Sequence, residues 1–212
     1  MSCPQCRGIE EMFNREAVAK EVASYAKRGA TGTTRVLIDA LKAAGVAGLT
    51  LLDIGGGVGA IQHALLRAGA AAATGVEASA AYLDAQRDEA QRLGYAERSR
   101  HYHGDFAALA VQIPAADVVT LDRVICCYHD MARLVGASAA RARRLYGLVY
   151  PRRTWWNRLG LPAVNMGLRL RGSSYRAYLH LPEAIDTIIR GAGLQLRFAS
   201  RTFFWQVLIY GR

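Results

Sequence analysis

Two periodicities divide the chain. From about residue 8 to 44 the apolar positions recur at helical spacing, with a break at Arg28-Gly29-Ala30-Thr31-Gly32. From residue 49 onward, short apolar runs bounded by glycine or polar residues alternate with amphipathic stretches of helical length. The runs predict strands over 49–54, 72–77, 99–103, 117–121 and 145–150. The stretches between them predict helices over 57–68, 79–93 and 131–144. Alternation of this kind implies an α/β domain whose mostly parallel sheet has helices on both faces. The pattern breaks at Pro151. Residues 151–178 are basic and aromatic, with Trp155, Trp156, Tyr175 and Tyr178. Pro182 then opens one more helix and Gly191/Gly193 close it, and two strand candidates, 194–200 and 203–210, end the chain. The organisation read from this pattern is an N-terminal helical cap over 1–45 and a main domain over 46–212, with a basic aromatic insert at about 151–178.

A length of 212 residues suits one α/β domain with modest additions. Its 52% hydrophobic and 21% charged residues are those of a folded globular chain. No apolar run approaches the ~20 residues that span a bilayer. The start, Met1-Ser2-Cys3-Pro4-Gln5-Cys6, lacks the charged-then-apolar order of a signal peptide. Both features lead to the expectation of a cytoplasmic protein.

The formal net charge is +10 and is concentrated. Between Asp130 and Glu183 there is no acidic residue, but there are ten arginines: Arg133, Arg141, Arg143, Arg144, Arg152, Arg153, Arg158, Arg169, Arg171 and Arg176. A positive field confined to one region implies a local anionic partner. The four cysteines form two pairs, Cys3/Cys6 and Cys126/Cys127. A cytosolic C-x-x-C points to metal or redox chemistry, but adjacent Cys126 and Cys127 lack the spacing of a second ligand pair, so no metal site is expected.

The chemistry concentrates in Leu51-Leu52-Asp53-Ile54-Gly55-Gly56-Gly57-Val58-Gly59, where a strand ends in an acidic residue and a glycine turn. Gly55, Gly57 and Ala60 satisfy the dinucleotide pattern G-x-G-x-x-G/A, which admits NAD. A carboxylate two residues before the turn repels a pyrophosphate, however, and suits the sulfonium and ammonium of S-adenosylmethionine. Glu77 closes the second strand, 22 positions after Gly55, where it can accept both ribose hydroxyls. Gly104-Asp105-Phe106 follows the third strand and Asp122 the fourth. The stretch around Gly55, Gly57 and Gly59 resembles motif I of the class I S-adenosylmethionine-dependent methyltransferases. That resemblance implies a Rossmann-like, seven-stranded sheet whose last strand is antiparallel. It also implies that Asp105 holds the adenine amino group. The N-terminal helices would fold over the cofactor, with Arg35 on its carboxylate and Tyr25 nearby.

The second half of the chain carries a narrower resemblance. Leu121-Asp122-Arg123-Val124-Ile125-Cys126-Cys127-Tyr128, then Tyr175-Arg176-Ala177-Tyr178-Leu179-His180, then Phe203-Phe204-Trp205 are similar to the magnesium-protoporphyrin O-methyltransferases and their relatives. His129 departs from that pattern, in which a proline commonly follows the tyrosine, and so does the Cys3/Cys6 start. The implied acceptor is a small, anionic or lipophilic molecule, methylated on oxygen, of which a tetrapyrrole-like carboxylate is one form. Aromatic rings can stack on such a molecule and arginines can pair with its carboxylates. The same arginine and tryptophan content also suits peripheral contact with a membrane surface. Methyl transfer from a sulfonium is dominated by positioning. Where the acceptor must lose a proton, His129 and Tyr128 are the candidate bases, with His180 a further one. Two other functions fit the residues. One is methylation of a metalloid or thiol through the four cysteines. The other is a non-catalytic module that binds S-adenosylmethionine or nucleic acid through the arginine cluster. No Asn-Pro-Pro-Tyr motif is present, which argues against DNA base methylation.

Overall fold

The β-strands are β1 (Thr50–Ile54), β2 (Ala72–Glu77), β3 (Ser99–His103), β4 (Ala116–Asp122), β5 (Ala142–Pro151), β6 (Gln195–Arg201) and β7 (Trp205–Gly211). They form one seven-stranded sheet in the order β3-β2-β1-β4-β5-β7-β6. β1 to β5 are mutually parallel, whereas β7 runs antiparallel to both β5 and β6. The structure, a computed structural model, describes residues 4–212 and the side chains from Arg7 onward.

The helices are α1 (Pro4–Met12), α2 (Arg15–Arg28), α3 (Gly32–Ala43), α4 (Ala60–Arg67), α5 (Ala80–Arg92), α6 (Phe106–Leu109), α7 (Met131–Ala139), α8 (Trp155–Leu170) and α9 (Pro182–Gly191). Strand side chains alternate between the two faces of the sheet. Leu51, Val118 and Val149 therefore pack with Leu37 and Leu41 of α3 and Leu65 of α4. Leu52, Val119 and Leu148 pack on the other side with Leu134 of α7 and Ile185 and Ile189 of α9. Burial on both faces explains why the strands read as continuous apolar runs. The chain moves outward from β1 to β3 and returns at β4, so a crevice opens beyond the carboxyl ends of β1 and β4.

Four boundaries differ from the sequence reading, each for a local reason. The helix expected over 57–68 starts only at Ala60, because Gly55, Gly57 and Gly59 take φ of 63°, 55° and 78°. Those left-handed angles suit glycine and are incompatible with a right-handed helix. The helix expected over 131–144 ends at Ala139. Arg141 turns out of it to donate its Nε–H to the Ile113 carbonyl (2.8 Å), and Arg143 and Arg144 continue as strand. The insert contains a 16-residue helix, α8, with Pro162 inside it. The last strand begins at Trp205, because Phe203 and Phe204 form the turn before it. Among the described residues, no helix is long and apolar enough to cross a membrane.

Leu148 is completely buried, between β4 and β7 in the α7/α9 face. Leu148→Ala leaves a cavity there and is expected to cost ~2–5 kcal/mol, read as a lower urea midpoint with an unchanged slope.

Candidate cofactor and acceptor cleft

A cleft of about 830 Å³ lies beyond the carboxyl ends of β1, β2 and β4. This volume is within the ~300–1,000 Å³ of small-molecule sites. Gly55 and Gly57 form its floor, Glu77, Asp105 and Asp122 approach from successive strand ends, and Glu21, Tyr25, Thr33 and Thr34 close it from α2 and α3.

Asp53, expected to face the cofactor, lies behind the turn instead. Its side chain is fully buried and absent from the lining. It accepts hydrogen bonds from Thr120 Oγ1 (2.6 Å) and Gln62 Nε2 (3.1 Å). A Cβ on Gly56 would stand 2.2 Å from its Oδ2, so Gly56 lets the turn pack against this carboxylate. Burial pushes the Asp53 carboxyl up to about 6, against the lowering effect of the two hydrogen bonds. Asp53 therefore shapes the glycine turn rather than lining the cleft. Gly59 is likewise structural. It precedes α4 as its cap, outside the lining, and a Cβ there would meet the His63 ring at 2.8 Å.

Glu77 does face the cleft. Its carboxylate accepts the backbone N–H of Ser79 (3.0 Å) and of Gly57 (3.3 Å), which joins the end of β2 to the glycine turn. Burial raises its carboxyl to about 7, with the two N–H groups holding it from rising further. Asp105 caps α6 by accepting from Ala107 N–H (2.9 Å), and it accepts from the Tyr128 hydroxyl (2.8 Å). Tyr128 is thus committed to orienting a cleft carboxylate. Asp122 accepts from Thr34 Oγ1 (2.5 Å) and from Arg123 Nε (3.2 Å).

The remaining expected residues fall elsewhere. Arg35 is exposed on α3, pairs with Asp39 at 3.1 Å, and does not reach the lining. Successive positions on a helix point in different directions, so Thr34 faces inward and Arg35 outward. His129 is exposed, stacked on the Tyr128 ring and outside the lining. His180 donates from Nε2 to the carbonyls of Tyr128 (2.8 Å) and Ile125 (3.1 Å), and burial keeps it below the ordinary histidine range. It clamps the loop after β4 and stands outside the cleft lining. None of the ten arginines between Asp130 and Glu183 lines the cleft. Cys3 lies outside the described residues, as does the side chain of Cys6.

Several lining residues carried no signal in the sequence. Arg123 is the cleft's one arginine among the described residues, and it has a left-handed φ of 61°. Ion pairing to Asp122 and a hydrogen bond to Thr34 (3.2 Å) hold it there; its place directly after the strand-end Asp122 was the available clue. Tyr82 donates its hydroxyl to Glu21, which bridges α5 to α2 across the turn. Cys126 and Cys127 both line the cleft with their sulfurs 3.9 Å apart, and Cys127 Sγ lies 2.9 Å from the Tyr175 hydroxyl. The Cys126 thiol and the Tyr175 hydroxyl hydrogen-bond to Cys127 and make it the more acidic of the two. Among the described residues, no three His, Cys, Asp or Glu side chains converge as a metal site.

This geometry agrees with what known proteins show. Residues 52–147 match a family described as a methyltransferase domain. The chain is 34% identical over 111 residues to the ribosomal protein L11 methyltransferase of Serratia proteamaculans, across 51% of this chain and 36% of that one. It is 30% identical over 146 residues to the protein of that name in Erwinia tasmaniensis, across 68% of this chain and 47% of that one. It therefore spans between a third and a half of the length of these curated relatives. Among solved structures it is similar to magnesium protoporphyrin IX methyltransferase from Synechocystis PCC 6803 with bound SAH. The TM-score is 0.74 at 21% identity, across 98% of this chain and 99% of that one. The strand order, the glycine turn and the family match agree: residues 52–147 match a methyltransferase domain, carried on a seven-stranded, mostly parallel sheet.

Proposed function

We propose that the chain binds S-adenosylmethionine in this cleft and transfers its methyl group to an oxygen of a small, carboxylate-bearing acceptor. The observation that carries the reading is the charge of the lining, where Glu21, Glu77, Asp105 and Asp122 stand against Arg123 alone. Four carboxylates repel the pyrophosphate of a dinucleotide and attract an ammonium and a sulfonium. When bound, S-adenosylmethionine supplies a methyl group already activated for displacement. The protein's part is then to hold and to position. Glu77 accepts from sugar hydroxyls, Asp105 from the base amino group, and the glycine turn allows close approach of the backbone.

On the acceptor side, Arg123 offers a planar, permanently charged partner for a carboxylate. Phe13, Tyr175 and Trp205 supply flat apolar walls. The histidines proposed from sequence stand outside the lining, which favours an acceptor that is nucleophilic without a base. A flat, tetrapyrrole-like carboxylic acid meets these conditions. The cysteine pair favours a second reading, transfer to a thiol or thiolate-bound metalloid at Cys126 and Cys127, which both face the cleft. Replacing all four cysteines with serine separates the two. Retained turnover on a carboxylate acceptor supports the first reading; loss of turnover, with calorimetric cofactor binding intact, supports the second.

Glu77 gives a test of the donor site. The folded protein holds this proton more tightly than the unfolded chain, whose carboxyl has the ordinary value of 4.5. Glu77 therefore lowers stability progressively as pH rises from 4.5 to about 7. Glu77→Gln has no such titration, so the urea midpoint of the natural chain should fall relative to the variant across that window. The same substitution should weaken S-adenosylmethionine about tenfold to a hundredfold in calorimetry, as for loss of hydrogen bonds worth ~1.5–3 kcal/mol to a charged group. Affinity in the natural chain should decline as pH drops through about 7. Absence of binding by both S-adenosylmethionine and its demethylated product would falsify the donor assignment.

A further inference from the structure

Helix α8 packs against the protein through Asn157, Leu161, Asn165 and Leu168 and leaves an apolar stripe facing solvent. Asn157 is buried and donates from Nδ2 to the carbonyls of Arg152 (2.7 Å) and Phe204 (3.2 Å). Asn165 exchanges two hydrogen bonds with the backbone of Ala177, at 2.8 Å and 2.9 Å. These anchors fix which face looks outward. At about 100° per residue, Trp155, Leu159, Met166 and Leu170 fall within one sector of roughly 60°. They are 69%, 69%, 55% and 81% exposed. Exposed Arg158 and Arg169 border the stripe on one side. Phe203 and Phe204, both more than half exposed, extend the apolar surface at the β6–β7 turn, and Phe203 stacks on Trp156 with ring centroids 4.6 Å apart.

We propose that α8 and the Phe203–Phe204 turn dock on the surface of an anionic lipid bilayer. The charge selects this occupant. From residue 131 to 182 every formal charge is an arginine, and Arg158 and Arg169 are the charged residues of α8 beside the apolar stripe. Bordering arginines match a field of anionic headgroups, and tryptophan suits the zone between headgroup and acyl chain. At 16 residues α8 is too short to span the bilayer and of a length to lie in its plane. The turn also ties the surface to the cleft, since Thr202 and Trp205, on either side of Phe203 and Phe204, belong to the lining. Docking brings that wall of the cleft to the bilayer, where a lipophilic acceptor is concentrated. This last step rests on the proposed function; the docking itself does not.

The test is co-sedimentation of the full chain with vesicles of phosphatidylcholine alone and of phosphatidylcholine with phosphatidylglycerol, at low and high salt. The expected result is binding to the anionic vesicles that weakens with salt, with a blue shift of tryptophan emission. Arg158→Gln with Arg169→Gln should reduce partitioning by roughly tenfold or more. The triple change Trp155→Ser, Leu159→Ser, Leu170→Ser should abolish it. All these side chains are exposed, so urea midpoint and calorimetric S-adenosylmethionine binding should be unchanged, which separates loss of docking from loss of fold. Three results would overturn the proposal: no binding to anionic vesicles at low salt, binding to mixed-sequence RNA in place of vesicles, or a concentration-dependent dimer that the triple variant dissolves.

Discussion

The cleft depends on one buried carboxylate. Asp53 ends β1 without reaching solvent, and its two oxygens take a hydroxyl from β4 and an amide from α4. The same Gln62 amide donates to Gln86 Oε1 (3.2 Å), and Gln86 Nε2 donates to the Gly57 carbonyl (2.9 Å). A chain of hydrogen bonds thus joins β4, β1, α4, α5 and the glycine turn. Burying a carboxylate is unfavourable unless it is hydrogen-bonded, and burial pushes the Asp53 carboxyl up to about 6 despite its two hydrogen bonds. Glycines make the room. A Cβ on Gly75 would stand 2.6 Å from Gln86 Oε1, as one on Gly56 would collide with Asp53 itself. What matches in sequence a dinucleotide-type glycine pattern is, in three dimensions, a turn held from beneath by a carboxylate. That is why this turn suits a cationic donor.

The frame was legible because it is periodic. Apolar runs gave β1 to β5 within a residue or two, except where Arg143 and Arg144 belong to the start of β5, a stretch that reads as helix. Glu77, Asp105 and Asp122 were legible because strand ends in an open α/β sheet converge on one crevice, so position along the chain stands in for position in space. Residues whose role depends on side-chain direction were not legible. Arg35 and Thr34 are neighbours, yet only Thr34 points inward. Asp53 carries the same charge as Glu77 and lies one layer deeper. Tyr128 lies in the cleft, but its hydroxyl is committed to Asp105. Arg123 needed a backbone conformation that nothing in its neighbours announces.

The composition of the arginine-rich segment suits both acceptor recognition and contact with a membrane surface, and its position in the structure bears on that choice. The positive residues lie away from the cleft, which is negative apart from Arg123. Charge of opposite sign is thereby separated between two surfaces. The cleft attracts a cationic donor, and α8 presents positive charge and aromatic surface to the outside. A segment that used its arginines inside the cleft would neutralise the carboxylates that select the donor.

The irregular stretch after α8 connects the two surfaces. Tyr178 N–H donates to the Cys126 carbonyl (2.7 Å), His180 clamps Ile125 and Tyr128, and the Tyr175 hydroxyl meets Cys127. Each of these contacts falls on the loop that follows Arg123. That loop begins with Arg123 in a left-handed backbone, a conformation costing on the order of 1–3 kcal/mol for a non-glycine residue. Such a residue persists only where its surroundings over-determine it. Asp122 and Thr34 do so from one side, and the stretch from Tyr175 to His180 does so from the other. The segment that carries the exposed helix is therefore also the one that holds the cleft's arginine in place.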